Sequence, residues 1–319
     1  STLIGFIFAY ADSYIKTNFK KLFNIVSILP IISPPFVLAL SAIMLFGQKG
    51  IISKQLLHIQ NSNIYGLKGL IVVQTMTFFP VAYLLLTGLL KHIDPALEEA
   101  GRNMGASRWK TFTTITLPLM APGIANAFLL TFIETVADFA NPMVIGGNFS
   151  TLATQIYLQA IGNYDMQGGA TIAVLLLLLT ILLFVLEKYW IEKKSYITVT
   201  GKASRERELI NEKNIVLPID IFCLLITGIV MLFYILIPIG ALFKIWGVNY
   251  SLTLDNFKYV FRLGTSALSD TTLLAAIATP ITGVLAMIIA FLIVRKKFYG
   301  RSFVEFTSLL AMAVPGTVI

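Results

Sequence analysis

Residues Asp94–Pro118 read DPALEEAGRNMGASRWKTFTTITLP, a charged, glycine-punctuated segment that follows one long apolar run, Leu67–Leu90, and leads into another, Ile115–Phe139. Its first eighteen residues, Asp94–Thr111, carry the marks of a helical element. Asp94-Pro95 reads as N-cap and first helical position. Glu98 and Glu99 lie near the positive end of the helix dipole, and Arg108 and Lys110 near the other end. Ala96, Ala100, Met104 and Ala106 supply small or apolar contacts, while Gly101 and Gly105, four apart, leave a shallow groove. A glycine inside a helix costs roughly 1 kcal/mol relative to alanine. Two of them in one exposed segment imply a break, or a surface that another backbone approaches closely.

The flanking runs set the context. Mean hydropathy is +0.83, 57% of residues are hydrophobic and only 13% are charged, outside the range of soluble domains. Crossing a bilayer takes about 20 apolar residues, and runs of that kind occur at Leu22–Phe46, Leu67–Leu90, Ile115–Phe139, Gly169–Trp190, Val216–Trp246 and Ser266–Val294. Two more, Ser1–Tyr10 and Ser302–Ile319, are cut short by the ends of the sequence. The expected fold is therefore all-α, a polytopic transmembrane helical bundle of six full and two truncated spans. Ser1 opens inside an apolar run with neither a basic n-region nor a cleavage pattern, so the run reads as the tail of a helix, not a signal peptide, and the chain as a fragment. Cys223 is the single cysteine, and His58 and His92 are assigned to opposite sides of the membrane, so no metal site is expected.

Charge placement gives orientation. Lys16, Lys20 and Lys21 precede the first full span, and Lys91, Arg102, Arg108 and Lys110 follow the second. A third basic group, from Lys188 to Lys213, lies between the fourth and fifth spans, and Arg295, Lys296, Lys297 and Arg301 follow the sixth. The positive-inside rule places these four segments in the cytoplasm. The loops Gly47–Gly66, Ala140–Gly168 and Gly247–Thr265, poorer in Lys and Arg, then face outside, and every span alternates in direction. This pattern accounts for the net charge of +8 without nucleic acid as a partner. Residues Ile191–Asn214, with mixed charges, read as a solvated linker. The Gly201-Lys202 pair inside it lacks the upstream glycine and following hydroxyl of a phosphate loop. An ungapped match of Phe8–Val37 on Ile289–Val318 keeps Ala9/Ala290, Ser27/Ser308, Leu29/Leu310, Pro34/Pro315 and Val37/Val318. It reads either as ordinary membrane composition or as two homologous halves, a common transporter plan. The second reading divides the chain into 1–190, a first permease half; 191–214, a cytoplasmic linker; and 215–319, the start of a second half.

The spacing of the opening segment is specific: Glu99-Ala100-Gly101, three residues, Gly105, nine residues, then Ile115-Thr116-Leu117-Pro118. It resembles the EAA signature of bacterial ABC importer permeases, with Gly101 standing where the pattern has its second alanine. An interfacial helix lying in the headgroups would need a continuous apolar face, which the segment lacks. The resemblance implies a permease of the cytoplasmic (inner) membrane whose coupling helix docks into a cleft on a separate dimer of ABC ATPase subunits. It implies that an extracytoplasmic substrate-binding protein docks outside, and that ATP is bound by the partner, with no cofactor and no bond chemistry in this chain. Glu99 would make a polar or ionic contact on the ATPase, Gly105 would be the point of close approach and turning, and Ile115, Leu117 and Pro118 would start the next membrane helix. A second coupling segment is expected beyond Ile319.

Further stretches, FLLTFIETVADFANPMVIGGNFSTLATQIY (Phe128–Tyr157), KSYITVTGK (Lys194–Lys202), LTLDNFKYVF (Leu252–Phe261) and LLAMAVPGTVI (Leu309–Ile319), are similar to the ferric-iron type with two fused permease halves. Phosphonate, polyamine and sulfate or thiosulfate importers share the architecture, and an ion channel or secondary transporter is the alternative from another class. Glu134 and Asp138, four apart, followed by Asn141-Pro142 at the outer end of a span, either line a translocation path favouring a cation or bond to neighbouring helices near the interface. Asp270 and Glu305 read as packing or interface residues. Prolines within or near spans, among them Pro30, Pro34, Pro35, Pro122 and Pro280, read as bends in helices.

Overall fold

The computed structural model describes residues 1–59, 62–186, 207–301, 303–304 and 307–308. The expected boundary at residue 190, most of the linker, Glu305 and the run Leu309–Ile319 lie outside these. Among the described residues, six helical segments are long and apolar enough to cross a membrane: Phe36–Leu56, Leu67–His92, Arg108–Ala137, Met166–Leu186, Lys213–Ala241 and Asp255–Arg295. The architecture is all-α as expected, apart from one short hairpin.

Two compact units divide the chain at Ile237/Pro238. In the first, α1 (Thr2–Tyr14) packs along α4 (Leu67–His92), which also carries α2 (Lys20–Ile32) and α7 (Leu117–Ala137). The α1–α4 crossing is close because Gly5 faces backbone: a Cβ there would lie 2.7 Å from the Tyr83 amide nitrogen and 2.8 Å from the Phe79 carbonyl oxygen. Small residues at such crossings replace the hydrophobic drive that lipid removes. Beside the gap Phe8 is fully buried, with ring centroids 5.4 Å from Phe79 and 5.8 Å from Phe23.

The run Leu22–Phe46, expected as one span, is two helices, α2 and α3 (Phe36–Phe46). Pro34 and Pro35 have no amide to donate, and the residue before a proline is pushed out of the helical region. Ser33 is accordingly extended, with ψ 155°, and its hydroxyl bonds to that of Tyr234. The spanning segment begins at Phe36 instead and continues through a π-helical turn, Ile51–Leu56.

Contacts agree with the orientation read from charge. At one end Lys20 and Lys91 reach the buried Asp12 carboxylate at 3.4 and 2.9 Å, and Arg108 Nε donates to Glu212 Oε1 at 2.7 Å. At the other end the Gly66 amide donates to Ile145 O and Ser62 Oγ to Phe46 O. Segments assigned to one side of the membrane thus meet one another. The outer segment Ala140–Gly168 is not irregular: it contains α8 (Ala140–Ile145) and α9 (Leu152–Tyr157), the latter opened by a Thr151–Thr154 capping box. From there α10 (Met166–Leu186) returns. The next described helix, α11 (Lys213–Ala241), packs on the first unit as far as Ile237, where Phe233 O accepts from Ser41 Oγ at 2.6 Å.

The second unit departs from the expected loop at 247–265. Helix α11 ends at Ala241, five residues before the expected end of its span at Trp246. A hairpin of β1 (Phe243–Ile245) and β2 (Asn249–Leu252) follows, paired Phe243 to Leu252, with the rings of Phe243, Trp246 and Tyr250 clustered on it. Helix α12 (Asp255–Arg295) then begins eleven residues ahead of the expected span at Ser266, because Thr253 Oγ1 accepts from the Asp255 amide and Asn256 Nδ2 donates to Ala241 O and Phe243 O. Polar residues that bond the first turn of a helix give that turn the composition of a loop.

Gly5→Ala is expected to separate α1 from α4 at a cost of about 1–3 kcal/mol, as overpacking usually does. Gly88→Ala, where an added Cβ meets nothing within 4 Å, is expected to leave stability intact. Thermal unfolding of the two variants in detergent checks the contrast.

Candidate functional site

The segment Asp94–Thr111 is two helices joined by a glycine turn. Helix α5 (Pro95–Asn103) starts as expected: Asp94 caps it, its Oδ1 accepting from the Ala96 amide at 3.0 Å, and Pro95 follows. At its other end the Gly105 amide donates to Arg102 O at 2.9 Å and the Ala106 amide to Gly101 O at 3.1 Å. These two bonds are the Schellman arrangement, which requires a left-handed residue between them. Gly105 supplies it with φ +88°, where an L-residue would cost about 1–2 kcal/mol. Ser107 restarts the chain as α6 (Arg108–Thr111), its hydroxyl accepting from the Lys110 amide at 3.2 Å. A π-helical turn, Phe112–Thr116, passes directly into α7, with Pro118 in its first turn.

Burial sorts the faces of α5. Pro95, Glu98 and Gly101, three apart, are buried; Ala100 is exposed and Glu99 half-buried. Met104 is 84% and Trp109 on α6 73% exposed, and Leu97 on α5 is exposed as well. The irregular Gly101 lies against the next element: a Cβ there would sit 2.8 Å from Ile115 Cδ1, the movable tip of that side chain. The glycine and the isoleucine of the same motif are thus in contact, while Leu117 and Pro118 remain exposed. Nothing lies within 4 Å of a Cβ built at Gly105, so in this chain it turns the backbone without admitting a neighbour.

The buried group that ties α5 to the bundle is Glu98, which sequence reasoning treated only as a dipole partner. Its Oε1 accepts from Tyr14 Oη at 2.7 Å and Thr116 Oγ1 at 2.6 Å, and its Oε2 lies 3.4 Å from Arg207 Nε. Arg207 also donates to Leu90 O at 3.2 Å and Ile93 O at 3.0 Å, and stacks 3.9 Å above the Tyr14 ring. Tyr14 at the end of α1, Thr116 just before α7 and Arg207 therefore converge on one carboxylate, and Arg207 in turn ties in the end of α4. The linker read as solvated is, in its described part, docked at Arg207 and Ile210. Spacing held a usable signal, since residues 95, 98 and 101 share a helical face on which a proline and a glycine frame the acid.

At the opposite end, Asp138 does not continue the face of Glu134, because α7 stops at Ala137 and Asp138 is extended, with ψ 117°. Its carboxylate is buried and accepts from Gln74 Nε2 at 2.9 Å, Asn141 Nδ2 at 2.9 Å and the Asn141 amide at 3.2 Å. Asp138 and Asn141 thus hold α8 against α4, while Glu134 is half-buried on α7. Asp270 is exposed on α12.

Glu98→Ala is expected to cost about 3–5 kcal/mol, because it leaves the Arg207 charge buried without its partner. Gly101→Ala is expected to be tolerated, since only the tip of the Ile115 side chain has to move. Unfolding midpoints of the purified variants measure both.

The profile of the family described as "Binding-protein-dependent transport system inner membrane component" matches residues 1–195. The ferric transport system permease protein FbpB of Actinobacillus pleuropneumoniae is 37% identical over 330 residues, covering 100% of this chain and 48% of that protein. A Haemophilus influenzae protein named as a ferric transport system permease, FbpB 1, is 37% identical over 331 residues, covering 100% of this chain and 52% of its own length. The molybdenum transport system permease protein ModB of Haemophilus influenzae is 28% identical over 189 residues, 56% of this chain and 81% of that protein. The chain spans about half the length of the ferric permeases it matches. With the family's profile over more than half of its residues and six helices able to cross a bilayer, the chain belongs to the binding-protein-dependent transport system inner membrane components.

Proposed function

We propose that this chain forms membrane-spanning permease structure of an ABC importer for ferric iron, in which ATP hydrolysis by a separate subunit dimer drives translocation of a substrate delivered by an extracytoplasmic binding protein. The observation that carries this reading is the construction of the α5–α6 element. One face is anchored in the bundle through Glu98, and the other presents Leu97, Met104 and Trp109 at the end where the basic residues collect. A rigidly held helix with uncovered apolar side chains at the cytoplasmic end is suited to receive a partner and pass on its motion. In this reading Glu99 contacts the ATPase subunit, Ala100 and Gly101 keep the helix slim, and Gly105 sets the angle at which the chain turns toward Ile115, Leu117 and Pro118. ATP binds the partner, and the chain itself holds no cofactor and performs no bond chemistry.

Iron is supported by the names of the two relatives that cover the whole chain, whereas the molybdenum permease covers 56% of it. Glu134 is the group placed to favour a cation along the path, with Asp138 and Asn141 fixing the outer end of α7 beside it. A carboxylate within a span is costly unless it faces water or protein.

In the full-length permease, assembled with its ATPase subunits and binding protein, Glu99→Lys and Gly105→Asp are each expected to reduce ATP-dependent ferric uptake at least about tenfold, equivalent to about 1.4 kcal/mol of lost interaction. Both should also weaken retention of the ATPase subunit during purification. Uptake and retention unchanged in both variants would sink the importer reading, and ATP-independent flux would favour a channel or secondary transporter. Transport of molybdate, a phosphonate or a polyamine in place of ferric ion would overturn the iron assignment alone.

A further inference from the structure

The segment 207–212 makes more directed contacts than a tether needs. Arg207 reaches Leu90 O, Ile93 O, Glu98 and the Tyr14 ring. Three residues on, the Ile210 amide donates to Tyr14 O at 2.8 Å and Ile210 O accepts from the Lys16 amide at 3.0 Å, a parallel bridge to the chain leaving α1. Glu212 then accepts from Arg108 of α6 at 2.7 Å. No slack follows, because Glu212 O already accepts from the amides of Ile215 and Val216, and α11 begins at Lys213.

A slack chain would behave otherwise. A flexible linker of n residues spans about 5–6 Å × √n and absorbs displacements of a few Å at its ends. Pinned at 207, 210 and 212, this one leaves no more than two residues between one pin and the next before α11 begins. The Arg207 pin is also hard to release: Glu98 is buried and the Arg207 side chain only 12% exposed, so parting them leaves a charge in a poorly solvated place. Arg207 further takes up the carbonyls left open at the end of α4, which a cation at a helix C-terminus is suited to do.

We propose that residues 207–212 are a strap that transmits displacement of the α5–α6 element to α11, with Arg207 as its positioning residue. The proposal rests on the coupling role given to that element above and adds the route by which motion leaves it. Motion received at α5 moves the ends of α1 and α4 through Glu98 and Arg207, and moves α11 through Ile210 and Glu212. Residues whose composition reads as a solvated linker then act as a working part.

The test uses the full-length permease with its ATPase subunits and binding protein in proteoliposomes, following radioactive ferric ion supplied on the binding protein. Arg207→Ala should retain the ATPase subunit within about twofold of the parent, while ferric uptake per ATP hydrolysed falls at least about tenfold, or about 1.4 kcal/mol of coupling. Arg207→Lys, which keeps the charge but not the fork across Leu90 and Ile93, should recover part of that loss. A merely structural role would lower the yield and unfolding midpoint but leave uptake per ATP unchanged in the complexes that assemble; uptake per ATP within about twofold of the parent overturns the strap. Should Arg207→Ala fail to reach the membrane, a Gly-Ser-Gly-Ser insertion between Glu212 and Lys213 is read in its place. It keeps every pin but adds slack, so the same loss supports the strap and unchanged uptake per ATP overturns it. Glu99→Lys separates the two levels: if it abolishes ATPase retention while the strap variants transport normally, the strap alone falls.

Discussion

Inside a bilayer a backbone amide or carbonyl has no water to bond, so each break in a helix must bring its own partners. This constraint shapes the chain at every point where a helix stops short. At Ser33–Pro35 two prolines remove donors, and the Ser33 amide still reaches Leu29 O. Where α7 stops at Ala137, the Asp138 carboxylate accepts from the first turn of α8 and from Gln74 of α4. At the end of α4 the open carbonyls of Leu90 and Ile93 are taken by the Arg207 guanidinium. Two of these three breaks are closed by a side chain remote in sequence, so the breaks that interrupt secondary structure also bind the bundle together.

Charge is distributed by the same logic. Carboxylates that would be expensive alone are placed where hydrogen bonds converge: Asp12 between Lys20 and Lys91, Glu98 between Tyr14, Thr116 and Arg207, and Asp138 between Gln74 and Asn141. Buried pairs of this kind add little net stability but penalise other arrangements strongly, because each alternative strands a charge. At the basic end, this fixes the α5–α6 element in one orientation. Its uncovered side, with Met104 and Trp109, is left for a partner.

Much of the architecture was legible before any coordinates. Apolar run length located five of the six helices able to cross a membrane among the described residues, and the alternation of basic segments grouped the chain's turns as the contacts at each end do. The Asp94-Pro95 start and the turn at Gly105 were readable because capping and left-handed backbone are local properties of a few residues. Less legible were the split of Leu22–Phe46, where hydropathy stays high across a proline break, and the early start of α12, whose first turns are polar. The candidate site divides in the same way. Glu99 and Gly105 stand out by motif, whereas Glu98 reads only as a partner of the helix dipole and Arg207 as part of a solvated linker.

Residue order alone carried the helical class, most of the spans and the place of the amphipathic element, since each depends on composition or spacing over a short window. The partners of that element came only with folding. Tyr14, Glu98, Thr116 and Arg207 are separated by 84, 18 and over a hundred positions along the chain, and no local preference links them. They meet because α1 and α7 pack on α4 and bring their ends together, where a single buried carboxylate takes donors from Tyr14, Thr116 and Arg207 while Arg207 also takes the carbonyls at the end of α4. The meeting of Gly101 with Ile115 is of the same kind, since that neighbour exists only once α5 has folded back on the turn before α7.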